Sequence, residues 1–286
     1  VPLALITGAS TGIGRASALR LHGSGWTVLA GVRDPAAGER LVEEAGGSPR
    51  MMPLRLDVTD AAQIAHAATR VQELGSEGGA ALAGGLDALV NNAGIAVGGP
   101  LELLSPEDLR RQFDVNVFAQ VAVTQAMLPA LRRARGRIVF VSSIGGRVTL
   151  GFTAPYAASK HAIEALGDAL RVELHSSKVK VALVEPGSVE TPIWGKGQAE
   201  AEKISIPPQL QEQYGSGWSR VVESFENMAR RGVPPEQVAE TIERALTEKR
   251  MRARYLVGRD AKAMLIVKRL LPDLVFDRVA RRALGV

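Results

Sequence analysis

Cysteine is absent from all 286 residues. That rules out disulfides, thiolate nucleophiles and cysteine-bound metals, and a reducing cytoplasm is the expected setting. Histidine is scarce too. His22, His66, His161 and His175 are scattered and make no metal-ligand spacing. They read as surface or packing residues, and no metal is expected. No secretory leader is visible, and no apolar run reaches membrane-spanning length. Zinc-finger and RNA-binding motifs are missing, so a nucleic-acid partner is not expected. Aromatic residues make up only 4% of the chain, so the places where they gather are informative.

What is present is an ordinary globular composition, 46% hydrophobic and 23% charged, enough to bury a sizeable core. The formal charge of +5 is unevenly placed. Residues 249–286 hold eleven Lys/Arg against three Asp/Glu, an excess of eight, so the preceding residues are net minus three. The basicity belongs to the tail rather than to the whole protein.

Apolar runs at 3–6, 27–32, 51–56, 86–90, 138–141 and 179–184 read as strands buried on both faces. They alternate with helical segments, which predicts a parallel sheet covered on both sides. Ligands in such sheets bind at the carboxyl ends of the strands. After the first strand comes Thr7-Gly8-Ala9-Ser10-Thr11-Gly12-Ile13-Gly14, then a helix. Glycines there permit a tight turn close to a phosphate, and the helix directs its first N–H groups at it. The spacing departs from the common Gly-x-Gly-x-x-Gly pattern. Near the end of the second strand, where an acid often binds ribose hydroxyls, stands Gly31, with Arg33 two residues on. A basic residue there suits a 2′-phosphate, although Arg33 also reads as a solvated turn residue beside Asp34. Asp57 could accept a bond from an adenine amino group or cap the next helix with Thr59 and Asp60. Residues 75–85 read as a Gly/Ala-rich surface loop. Ser105-Pro106-Glu107-Asp108 predicts a helix start, with the helix running towards Leu131. Asn116 sits in an apolar stretch of it.

Tyr156 and Lys160 lie four positions apart, hence on one face of a helix, with Pro155 at its start. An ammonium beside a phenol favours the phenolate, which allows proton exchange with an alcohol or carbonyl oxygen. Ser143, at the end of the fifth strand, could hold that oxygen. The bland alternative is a half-buried ring and a solvated amine.

Taken together, TGASTGIG (7–14), NNAG (91–94), Asn116, SS (142–143), YAASK (156–160) and PG (186–187) resemble the short-chain dehydrogenases/reductases over nearly the whole chain. The resemblance implies a doubly wound α/β sheet of seven strands, order 3-2-1-4-5-6-7, in one domain spanning 1–286. It implies an NAD(P)-dependent oxidoreductase with Tyr156 as general acid/base. Lys160 would lower the phenol's pKa and hold the nicotinamide ribose. Ser143 would orient the reacting oxygen, and Asn116 would support a water-mediated proton relay. Gly8, Gly12 and Gly14 would form the pyrophosphate turn. Asp57 and Asn91 would hold the adenosine half, and Thr191 could touch the nicotinamide amide. Ser10, Thr11, Ile13, Arg33, Val58, Ala93, Gly94, Pro186, Gly187 and Val189 would also bind the cofactor. The Gly31/Arg33 arrangement favours NADP(H) over NAD(H), although Thr11 stands where many NADP-preferring members carry a second basic residue. A non-catalytic dinucleotide-sensing regulator and an NAD-dependent dehydrogenase are the alternatives. A homodimer or homotetramer is also implied.

Residues 188–232 break the strand–helix rhythm and gather Trp194, Tyr214, Trp218 and Phe225. They are expected to form a lid over the cleft, for a bulky apolar alcohol or ketone, or to pack as a peripheral helix pair. A helix over 235–249 and a seventh strand at 255–258 follow. Residues 260–284 are expected to be helical, interrupted at Pro272. Leu271, Val275, Val279 and Ala283 lie on one stripe, with Arg278, Arg281 and Arg282 off it. Such a helix can dock on its own domain or a neighbouring subunit, or touch an anionic membrane surface weakly; docking is the preferred reading.

Overall fold

The computed structural model describes residues 1–77 and 85–284. Seven strands form one sheet: β1 Leu3–Thr7, β2 Thr27–Val32, β3 Met51–Arg55, β4 Ala88–Asn91, β5 Arg137–Val141, β6 Lys180–Pro186 and β7 Arg254–Val257. All neighbours are parallel, in the order β3-β2-β1-β4-β5-β6-β7 that the sequence implied. The helices are α1 Gly12–Gly23, α2 Pro35–Glu44, α3 Ala61–Glu77, α4 Pro106–Phe113, α5 Ala119–Ala134, α6 Ala154–Glu173, α7 Pro192–Ala201, α8 Ser216–Arg231, α9 Pro235–Thr247, α10 Arg259–Leu270 and α11 Asp273–Leu284.

The strand period of two explains the layers. Leu3 and Leu5 of β1 join one buried cluster, closed by Ile64 and Val71 of α3, Val123 and Met127 of α5 and Ile163 of α6. Ala4 and Ile6 face the other way, against Leu21 of α1, Leu41 of α2 and Ile242 of α9. A strand sandwiched in this manner has no polar face, which is why these runs are almost wholly apolar. β3 is one edge of the sheet and carries Pro53, paired opposite Ala30. Gly38 lets α2 lie on that proline: a Cβ there would stand 2.6 Å from Pro53 Cβ.

The expected helix from Ser105 forms, with a reciprocal cap. Ser105 Oγ accepts from Asp108 N at 3.1 Å, and Asp108 Oδ2 accepts from Ser105 N at 3.3 Å. Between α4 and α5 the chain widens into one π-turn, Asp114–Phe118, which contains Asn116. Such turns often re-aim a side chain at a functional site.

Two parts depart from a simple α/β alternation. Residues 188–232 leave and return at one point: Val189 bridges Val233, and Val233 N donates to Ser188 O at 2.9 Å. The tail bends at Pro272 into α10 and α11. Its docked face is not the expected 271/275/279/283 stripe, because Val275 and Val279 are exposed. Phe276 is the buried residue, and Leu284 packs on Trp218 and Val221 of α8. The stripe one position along carries the ring, which buries more apolar area than a valine. Of the expected loop at 75–85, residues 78–84 lie outside the described residues, as does the side chain of Phe225.

Candidate active site

The turn after β1 is shaped by two glycines with positive φ, Gly8 (66°) and Gly12 (53°). Gly14 is needed for contact rather than for conformation. A Cβ on it would stand 2.2 Å from Gly8 O and 2.5 Å from Asn92 Nδ2. Asn92 holds the turn by donating Nδ2 to Thr7 O at 2.9 Å and Gly8 O at 3.1 Å. α1 starts at Gly12 with no side-chain cap and no acid in its first turn. Its first N–H groups are therefore left for an anion, as a dinucleotide pyrophosphate requires. The residues present fit that group.

Gly8, Ser10, Thr11, Gly12, Ile13, Arg33, Asp57, Val58, Ala93 and Gly94 line one continuous cleft with Ser143, Tyr156, Lys160, Pro186, Gly187, Val189 and Thr191. Asp57 accepts from Thr59 N at 3.0 Å and Thr59 Oγ1 at 2.7 Å. Burial pushes its carboxyl up, but the Thr59 bonds and nearby Arg33 prevail and hold it below its usual value. The cap of α3 belongs to Asp60, which accepts from Ala62 N at 2.9 Å.

Three expected site residues stand outside the cleft wall. Gly14 acts behind the turn. Asn91 is fully buried and donates Nδ2 to Thr124 Oγ1 of α5 at 2.9 Å; its neighbour Asn92 is the one that reaches the cleft. Asn116, also fully buried, accepts from Ile95 N at 2.9 Å and donates to Ile95 O at 3.0 Å and Ser159 Oγ at 3.2 Å. Ser159 Oγ in turn donates to Tyr156 O at 2.7 Å. Asn116 thereby locks the loop after β4 to the first turn of α6, one side chain away from the phenol.

Tyr156 and Lys160 share the inner face of α6, with Nζ 5.8 Å from the ring centroid. The serine stands close by. A Cβ on Gly145 would be 3.2 Å from Tyr156 Cε1 and 3.4 Å from Ser143 Oγ, so the glycine sits tightly against both side chains. Burial pushes the phenol's pKa up, and a hydrogen bond with Ser143 pulls the other way. The Lys160 ammonium donates to Val141 O at 2.8 Å. Burial lowers Lys160 to about 8, opposed by the Glu164 carboxyl.

Trp194 of α7 meets Tyr156 edge-on, centroids 6.3 Å apart, and donates Nε1 to Val189 O at 2.9 Å. Phe152, held at φ 66°, contacts Tyr214 and Trp218 with centroids 6.2 and 5.9 Å away. The cleft also takes in residues outside the expected set, among them Asn92, Trp194 as a direct neighbour of the phenol, and Lys196. Asn92 was visible within NNAG; an isolated exposed lysine such as Lys196 gives no signal.

A phosphate-ready turn and a half-buried phenol beside a buried ammonium, at the carboxyl end of a doubly wound sheet, define an oxidoreductase that works with a nicotinamide dinucleotide. Comparison with known proteins narrows this. Residues 2–202 match the short chain dehydrogenase family. NADPH-dependent 3-dehydrocapnine reductase of Ornithobacterium rhinotracheale is 32% identical over 281 residues, 96% of this chain and 95% of that protein. Retinol dehydrogenase 5 of Mus musculus is 35% identical over 289 residues, 96% of this chain and 86% of that protein. A short chain dehydrogenase/reductase from Burkholderia phymatum, solved in complex with NAD, aligns with a TM-score of 0.79 at 25% identity, covering 94% of this chain and 93% of that one. The chain belongs to the short chain dehydrogenase family.

Proposed function

We propose that this chain is an NADP(H)-dependent oxidoreductase that interconverts a secondary alcohol and a ketone, or a primary alcohol and an aldehyde, on a bulky apolar substrate. The observation that carries the reading is Tyr156 on the cleft wall, its hydroxyl hydrogen-bonded with Ser143 and Lys160 Nζ 5.8 Å from its ring centroid. Ser143 holds the substrate oxygen. Tyr156 gives that oxygen a proton in reduction and takes it back in oxidation. The Lys160 ammonium stabilises the phenolate left behind. A bound nicotinamide ring supplies or accepts the hydride at the carbonyl carbon. Holding the substrate oxygen in place removes much of the entropic barrier.

The NADP(H) preference is supported by Arg33 on the cleft wall and by Gly31. A Cβ at Gly31 would stand 3.0 Å from Ile6 O, leaving no place for a ribose-binding carboxylate. The NADPH-dependent relative agrees. The NAD-bound structural neighbour and the uncharged Thr11 favour the second reading, an NAD-dependent enzyme. The apolar substrate is supported by the Trp194, Phe152, Trp218 and Ile204 cluster; on this reading residues 188–232 act as a lid on a single domain of 1–286.

Two surface readings accompany this one. Exposed Phe118 and Val172, on the two long helical stretches, support a homodimer or homotetramer. Exposed Ile266, Leu270 and Leu274 beside the basic tail support a weak contact with an anionic membrane surface. No helix among the described residues is long and apolar enough to cross a membrane.

The test is a panel of steroid, retinoid and long-chain ketones and alcohols, with sugars as the polar control, read by nicotinamide absorbance with NADPH and NADH side by side. Tyr156→Phe is expected to lose turnover by a factor of about 100 or more while still binding dinucleotide. Near-normal turnover in that variant removes the role given to Tyr156. Activity confined to sugars removes the substrate class.

A further inference from the structure

Behind the Tyr156–Lys160 pair lies a buried ionic cluster that the proposed reaction leaves unused. Glu164 is one helical turn beyond Lys160 on α6, and both are almost fully buried, at 5% and 4% exposure. Arg254 of β7 donates Nε to Glu164 Oε2 at 2.9 Å and Nη2 to Asp168 Oδ2 at 2.7 Å. Arg254 Nε also lies 3.1 Å from Glu185 Oε1 of β6, which accepts from Arg147 Nη1 at 3.0 Å. Arg171 closes the far end on Asp168 at 2.6 Å. Gly146 lies at the centre of this arrangement: a Cβ there would stand 2.9 Å from Ser142 Oγ, 3.0 Å from Glu164 Cγ and 3.0 Å from Lys160 O. The cluster is thus packed directly against the backbone that carries the ammonium.

Charge counting singles out one carboxylate. Arg147, Arg171 and Arg254 match Glu164, Asp168 and Glu185 in number. The Lys160 ammonium is a seventh charge, and it donates a hydrogen bond to the neutral Val141 carbonyl. Glu164 is the acid one turn from Lys160 on the same helix face. Its carboxylate takes the Arg254 guanidinium on Oε2 and lies beside the Ser142 hydroxyl. A buried carboxylate acts on a neighbouring cation through its field, which is strong where water is excluded.

We propose that Glu164 is a positioning residue for the reaction: anchored by Arg254, its carboxylate keeps the buried Lys160 ammonium charged, and so lets Tyr156 release and recover its proton. This rests on the reading of Tyr156 and Lys160 given above. Burial, and the Glu185 carboxylate behind it, push Glu164 up to about 7, against Ser142 and Arg254, which pull it down. Glu164 and Lys160 therefore ionise in the same pH range and depend on each other. The charged groups facing the pair are Tyr156, Asp168 and Arg171 on α6, Arg147 beside the 144–146 turn, Glu185 on β6 and Arg254 on β7.

The experiment is the pH profile of kcat for the full chain and for Glu164→Gln, together with an NMR titration of the ¹⁵N-labelled Lys160 Nζ in both, without substrate. Lys160 must be protonated to act, so activity falls as pH rises through about 8 in the native chain. In Glu164→Gln the alkaline limb is expected to move to lower pH. The expected fall in kcat at pH 8 is about fivefold for a limb displaced by one pH unit, with KM for the dinucleotide unchanged. An unshifted limb and an unshifted Nζ titration overturn the proposal. So does a uniform fall in kcat at every pH, which is the mark of a purely structural role. Should Glu164→Gln fail to fold, Glu164→Asp keeps the charge and is expected to keep the limb in place, even with a lower Tm; a displaced limb there also overturns it. If the native chain reduces no carbonyl with either dinucleotide, the reading of the site falls instead, and the Nζ titration still decides whether Glu164 sets the ammonium.

Discussion

Gly14 has no space for even a methyl group, whereas Gly23, at the other end of α1, has nothing within 4 Å of where a Cβ would stand. The two positions make a matched pair. Gly14→Ala must displace backbone at Gly8 and the Asn92 amide, at about 1–3 kcal/mol for an overpacked site. It is expected to lower Tm and to weaken NADPH binding more than tenfold in a fluorescence titration. Gly23→Ala is expected to leave binding unchanged and Tm the same or slightly higher, because alanine suits a helix better. Residues whose roles depend on short spacing were legible in the sequence in this way. Gly8, Gly12, Tyr156, Lys160 and Ser143 all stand on the cleft wall. Asn91 and Asn92 show where that stops. Adjacent residues at a strand end point to opposite sides, so a shift of one position moves an amide from the cleft to Thr124 on α5. Only the three-dimensional register decides between them.

At the scale of elements, the central strands were legible because they are buried on both faces and read as plain apolar runs, while their order followed from the family resemblance. Amphipathic helices are less forgiving. The docked row of α11, with Phe276 and Leu284, and the expected row with Val275 and Ala283 differ by one residue, about 100° around the helix. Propensity and spacing are nearly the same for both, and the deciding factor is the lid cluster that receives Leu284. That docking leaves Ile266 at 57%, Leu270 at 75% and Leu274 at 79% exposure. These three can be changed without touching the core. Replacing all three by serine is expected to leave Tm within about 1 °C and to abolish co-sedimentation with liposomes rich in anionic lipid. Equal sedimentation of both forms discards the membrane contact. The π-turn at Asp114–Phe118 was not legible, since nothing in Asp-Val-Asn-Val-Phe marks a wider helical turn.

For the molecule as a whole, the same exposed positions bear on assembly. Phe118 is 61% exposed and Val172 is 75% exposed, on the sheet face covered by α5 and α6. An aspartate at each place adds charge to a surface that a partner would have to desolvate. Analytical ultracentrifugation is expected to find the native chain as a dimer or tetramer and Phe118→Asp/Val172→Asp as a monomer of unchanged helix content. A monomeric native chain removes the oligomer reading.

Pro53 has a consequence of a different kind. β3 keeps its pairing with β2 on both sides of the proline, so the missing N–H belongs to the open flank. A foreign strand approaching that flank would find a donor row interrupted at its middle. Edge-to-edge addition of a second copy along that flank is thereby disfavoured.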